Sequence, residues 1–158
     1  MARFEFATTW HLEAPIEAVF AALTDSLQWP EWWPGLVDVQ QLAVGDGAGI
    51  GRTQRFVWKS RLGYCLCFDI RIIRVREPFL IEGVANGDVA GTGCWQLREE
   101  SGRTLVRYLW RVRTVRPWMG LLARVARPLV IWNHNAMMRA GRRGLARHLD
   151  ERAAGRCV

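Results

Sequence analysis

Phe4, Phe6, Thr8, Trp10 and Leu12 alternate with Glu5, Ala7, Thr9 and His11, the period-two pattern of a strand that buries one face. Past Pro15, a residue suited to the first turn of a helix, Ile16, Val19, Phe20 and Leu23 recur at helical spacing, and the pattern stops near Thr24-Asp25-Ser26. A further short helical turn is expected before the run Trp29-Pro30-Glu31-Trp32-Trp33-Pro34-Gly35. Its two prolines exclude a regular helix or a central strand. The three tryptophans are therefore expected on an aromatic loop, where flat apolar side chains cover either the core or the mouth of an apolar pocket.

From Val37 onward the signals are strands and turns. Val37 to Val44 reads as a strand, Gly45 to Gly51 as a loop, and Thr53 to Lys59 as a strand with Gln54, Phe56 and Trp58 on one side. Tyr64, Leu66, Phe68, Ile70 and Ile72 alternate with Cys65, Cys67, Asp69 and Arg71. Pro78 marks a turn, and Phe79–Ala85, Gly91–Glu99 and Thr104–Val115 supply three more strands, the last with Val106, Tyr108, Trp110 and Val112 on one face. Short turns at regular spacing predict an antiparallel meander, since parallel neighbours need crossover helices. Pro117 opens a long helix with a kink expected at Pro128. Its apolar side carries Val130, His134, Met137, Met138, Gly141, Leu145, His148 and Leu149; Arg139, Arg142, Arg143 and Arg147 fall toward the other side. That helix must lie on the sheet.

Length and composition change this picture little. At 158 residues, half of them hydrophobic and with no linker or low-complexity stretch, the chain is expected to form one domain over residues 1–152, with 153–158 as a tail. No apolar run resembles a signal peptide or is long enough to cross a bilayer, so the expected compartment is the cytoplasm. Cys65 and Cys67 share one face of a strand and make no evident disulfide, and Cys157 lies near the end; a lone Cys-x-Cys is a weak metal signal.

The net charge of +7 is concentrated. From Arg111 to the end there are eleven arginines against Asp150 and Glu151, a balance of +9 that leaves −2 for the remainder. Basic residues on one face of an amphipathic helix more often mark a solvated outer surface than a nucleic-acid site, and no nucleic-acid partner is expected.

Candidate chemistry is sparse. The Gly45–Gly51 stretch lacks a following Lys-Ser/Thr and precedes a strand, so a hairpin loop is preferred over a phosphate cradle. No nucleophile motif of the Gly-x-Ser-x-Gly kind is present. His134 and His148 are separated by about 21 Å of helix and cannot share an ion; neither a metal nor another cofactor is expected. His134 has two readings, a satisfied core residue or a ligand contact in a cavity roofed by the last helix. Gln54, Tyr64 and Tyr108 are inward-facing polar companions that fit either a pocket or a structural role. Met137 and Met138 supply deformable apolar surface, again as core or as cavity wall.

One strand, two short helices, a run of antiparallel strands and a long C-terminal helix make an α+β order in which a curved sheet wraps around the final helix. On Trp10 with Ala14-Pro15-Ile16-Glu17-Ala18-Val19-Phe20, the tryptophan run, Gly91-Thr92-Gly93-Cys94-Trp95 and Trp132-Asn133-His134, the chain resembles the START, Bet v 1 and polyketide cyclase superfamily. The resemblance covers almost the whole chain and leans to its bacterial polyketide cyclase/dehydrase and lipid-transport branch. It implies the helix-grip fold.

Three functions are then in play. The first is binding of a hydrophobic small molecule, a lipid, aromatic or polyketide-like compound, in a cavity under the C-terminal helix. The inward aromatics Phe56, Trp58, Tyr64, Phe68, Trp95, Tyr108 and Trp110 motivate it, with His134, Met137, Met138 and Gln54 as further contacts and Trp32 and Trp33 at the mouth. The second is a polyketide cyclase, aromatase or dehydratase in which His134 or Tyr108 exchanges a proton. The third is a membrane- or quinone-associated accessory protein, with the basic helix on anionic lipid and the tryptophan loop in the interface. Monomer and homodimer both remain open.

Overall fold

The alternation from Phe4 forms β1 (Arg3–Leu12), and the helical spacing after Pro15 forms α1 (Ile16–Thr24), whose Ile16, Val19, Phe20 and Leu23 are buried. A computed structural model describes residues 2–156. A 3-10 turn at Ser26–Gln28 leads into one helical turn, α2 (Trp29–Trp32). This corrects the expected aromatic loop. Pro30 sits where a helix N-terminus needs no N–H, so it permits the turn rather than breaking it, and the Trp33 amide closes it by donating to the Trp29 carbonyl at 2.8 Å.

Six strands follow: β2 (Leu36–Ala43), β3 (Thr53–Lys59), β4 (Cys65–Arg76), β5 (Leu80–Gly87), β6 (Val89–Glu100) and β7 (Arg103–Thr114). The sheet order is β1-β7-β6-β5-β4-β3-β2, and every neighbouring pair is antiparallel. Consecutive strands pair through short connections, and β1 returns to the far edge against β7. Register shifts in β2 and between Ile72 and Arg74 in β4 add local bend and twist. The glycine stretch is the β2–β3 connection, folded back on Asp46, whose carboxylate accepts the Ala48 and Ile50 amides at 2.9 Å each.

The last element, α3 (Pro117–Arg156), lies across the concave face, giving the helix-grip architecture. Its kink is at Ala126 (φ −130°, ψ 35°), two residues before the expected Pro128. Proline removes its own N–H and its ring presses on the preceding turn, so the distortion falls upstream. Residues 153–156 continue the helix; Cys157 lies outside the described residues.

The aromatic turn is locked onto α3 by two glycines. A Cβ at Gly141 would come within 2.5 Å of the Trp33 ring, and one at Gly144 would overlap the Trp32 carbonyl. The Trp33 indole N–H donates to the Met137 carbonyl at 2.9 Å, and that of Trp29 to the Ala22 carbonyl at 3.1 Å. Trp29, Trp32 and Trp33 are buried to 7%, 6% and 3% exposure, which removes them from any interfacial role.

Candidate functional site

Between the sheet and α3 the aromatic side chains leave a cavity of about 160 Å³. Alternation along each strand aims one face inward. β3 supplies Phe56 and Trp58; the start of β4 and the residue before it supply Phe68 and Tyr64; β6 supplies Trp95, and β7 supplies Tyr108 and Trp110. From the opposite side α3 contributes His134, Met137 and Met138, and Trp33 reaches in from the end of α2. The rings form a continuous contact network: Trp95 on Tyr108 at 4.0 Å between centroids, Tyr108 on Trp110 at 5.9 Å, Trp110 on Phe68 at 5.6 Å, and Trp33 on Trp58 at 5.1 Å.

Two expected positions lie elsewhere. Trp32 does not reach the cavity; it packs outward between Trp33 and His148, below Gly144. Gln54 shares the inward face of β3 but lies beyond the main cavity, beside the Ser26–Gln28 turn, where it borders a small inner space shared with Trp95 and Tyr108. It accepts from the Ser26 hydroxyl, donates to Gln41 at 2.6 Å, and borders a separate groove with Asp25 and Arg52. Trp33 lines the cavity and is itself buried.

Several wall residues are not among the expected ligand contacts. Phe4 and Phe6 stand on the same alternation as Trp10, and Leu66 and Ile70 on that of Phe68, so period two was enough to find them. Met119, Val130 and Asn133 come from the first half of α3, whose distance from the sheet no periodicity reveals. Asn133 is buried and joins α3 to the β3–β4 turn, accepting the Arg61 amide at 3.0 Å.

Polar groups on this wall are few. Asn133 holds Arg61 and meets the Met137 sulfur at 3.5 Å, and the Thr114 hydroxyl accepts the Ala2 amide at 3.0 Å. Burial pushes the Tyr64 phenol up, and pushes that of Tyr108 up much further, so both stay neutral. His134 is lowered to about 4 by desolvation and is a neutral imidazole near pH 7. Its Nε2 is buried and, among the described residues, has no hydrogen-bond partner. A mostly aromatic chamber whose wall carries a few neutral polar groups, the Tyr108 hydroxyl and the His134 imidazole among them, suits a hydrophobic molecule bearing a polar atom.

The family model described as polyketide cyclase/dehydrase and lipid transport matches residues 3–150. No curated protein sequence matches the chain. Among solved structures, the Zhui aromatase/cyclase from Streptomyces sp. R1128 is 18% identical, with a TM-score of 0.77 over 96% of each chain. A START superfamily protein from Mycobacterium smegmatis is 17% identical, with a TM-score of 0.73 over 93% of this chain and 97% of that one. The di-domain ARO/CYC StfQ from the steffimycin biosynthetic pathway is 13% identical at a TM-score of 0.75; 96% of this chain aligns with 52% of it. At these identities the likeness establishes the fold.

Proposed function

Since this chain belongs to the polyketide cyclase/dehydrase and lipid transport family, we propose that it binds a compact hydrophobic molecule carrying one oxygen or nitrogen atom, held in the aromatic cavity with its polar atom at His134. The observation that carries this reading is an aromatic cavity whose wall includes the neutral His134 imidazole, its Nε2 without a protein partner. A buried acceptor or donor left unpaired costs on the order of 1–3 kcal/mol, a deficit that a ligand atom would remove.

Size narrows the ligand class. Cavities of about 150 Å³ lined by apolar side chains accept benzene, and about 160 Å³ suits a one- or two-ring aromatic or a short acyl chain better than an extended polyketide. Proton-transfer catalysis is the weaker alternative. General acids and bases work best with pKa values near the working pH, and both candidates have been moved away from it, Tyr108 upward and His134 downward.

Native mass spectrometry of the purified protein, followed by titration with naphthalene and 2-naphthol, tests the reading. A retained small molecule, or saturable binding with preference for the naphthol, is expected. No retained molecule and no saturable binding of either probe would sink it.

A further inference from the structure

The first half of α3 carries an apolar stripe facing away from the cavity. Trp118, Leu121 and Val125 before the kink at Ala126, and Leu129 and Trp132 after it, keep helical spacing within their own segments and are between 43% and 79% exposed. The β3–β4 turn, with Leu62 exposed, lies beside the Trp132 end of this segment, since its Arg61 amide donates to Asn133. Such a contiguous patch is unusual on a free surface.

Its surroundings are basic. Arg61 and Arg124 flank it, exposed and outside any ion pair among the described residues, and α3 has no acidic side chain before Asp150. Arg116 and Arg127 are nearby but engaged, Arg116 with Asp88 at 2.7 Å and Arg127 over the Phe4 ring at 4.4 Å. The patch also roofs the cavity. Trp118 meets Tyr64 at 5.8 Å between centroids, and Met119 and Val130 on the other side of the same segment line the wall.

We propose that the segment from Trp118 to Trp132, with the Arg61–Leu62 turn, is a docking surface for an anionic lipid membrane. Tryptophans at the two ends of an apolar stripe suit the headgroup boundary, the leucines and valine suit the upper acyl region, and the arginines meet lipid phosphates. The charge pattern selects this occupant over a second copy of the chain. The stripe reads the same in both directions about Val125, but an antiparallel pair would bring Arg124 close to its own symmetry mate with no α3 carboxylate to offset the charge. This surface is distinct from the tryptophan turn, whose rings are buried.

The test is co-sedimentation of the full chain with phosphatidylcholine vesicles, with and without phosphatidylglycerol. Expected is binding to the anionic vesicles that weakens with salt and is at least about tenfold poorer on phosphatidylcholine alone. Arg61→Gln/Arg124→Gln should weaken it roughly 25-fold, Leu121→Gln/Val125→Gln should abolish it, and Arg142→Gln/Arg143→Gln, on the other half of α3, should leave it nearly intact. All three are exposed and should leave the melting temperature unchanged, and the Leu121/Val125 variant should still bind soluble 2-naphthol as the parent does, so membrane docking and cavity binding are scored separately. Absence of sedimentation with anionic vesicles at low salt overturns the proposal. So does equal loss in the Arg142/Arg143 variant, which would make the attraction one of overall charge. A dimer in sedimentation velocity that the Leu121/Val125 variant dissociates, without vesicle binding by the parent, assigns the face to a second copy instead.

Discussion

The His134 imidazole lies flat on the Phe6 ring, their centroids 3.7 Å apart and their planes 16° from parallel. The contact joins the last helix to the first strand and fixes the imidazole plane against the sheet, while Nε2 is left without a protein partner. The buried indole nitrogens of Trp10 and Trp32 are unpartnered too, but those rings lie outside the cavity, whereas His134 lines it.

His134→Phe separates the two roles. The ring volume and the stack on Phe6 are roughly kept and the polar contact is deleted. The variant should fold, and bind naphthalene about as well as the parent. Its preference for 2-naphthol over naphthalene, expected to be roughly five- to tenfold in the parent for one buried hydrogen bond, should disappear. Unchanged discrimination would return His134 to a packing role.

Acid should weaken the fold through the same residue. An unfolded chain binds the His134 proton below about pH 6.5, whereas the native state resists it until about 4. Between those values the unfolded state holds more protons, so stability falls as pH falls, by a total on the order of 3 kcal/mol. Urea midpoints measured from pH 7.5 to 4.5 should decline in the parent and decline less steeply in His134→Phe. Parallel curves would show that His134 is not the group responsible.

Much of this site could be read from alternation alone. Phe56, Trp58, Phe68, Trp95, Tyr108 and Trp110 each occupy the inward position of a period-two strand, and a strand's inner face is a property of its own sequence. What covers that face is not. Gln54 alternates correctly and still misses the main cavity, because its amide is held by the Ser26 hydroxyl and Gln41 instead. The tryptophan turn was misread because Pro30 was weighed as a helix breaker, while its place in the first turn makes it harmless. Trp118 to Trp132 show a helical period that fits burial equally well. Only the way the kinked segment packs, with Met119, Val130 and Asn133 toward the cavity, leaves that stripe outside.

Gly141→Ala should be destabilising although alanine is the better helix former. The added methyl would lie 2.5 to 2.8 Å from three atoms of the Trp33 indole, a ring also held by its hydrogen bond to the Met137 carbonyl. Overpacking of this kind costs about 1–3 kcal/mol, more than the roughly 1 kcal/mol of helix propensity gained. Chemical denaturation should show the net loss; a more stable variant would mean that Trp33 can move aside.

Trp95 and Trp10 touch each other at 5.3 Å between centroids, yet only Trp95 lines the cavity. Truncating either removes a large buried ring, a change that costs about 3–5 kcal/mol where packing is complete. Trp95→Ala should fall at the lower end of that range, because part of its surface already faces open space, and it should join its own volume to the cavity. Bulkier three-ring aromatics should then bind where the parent excludes them. Trp10→Ala should fall at the upper end, since the ring is 2% exposed and packed among Trp33 and Trp95, and the space it leaves lies behind the wall. Ligand size selectivity should therefore change in the first variant and not in the second. If both lose the same stability and neither accepts a larger ligand, Trp95 is core and the cavity wall has been drawn one residue too deep.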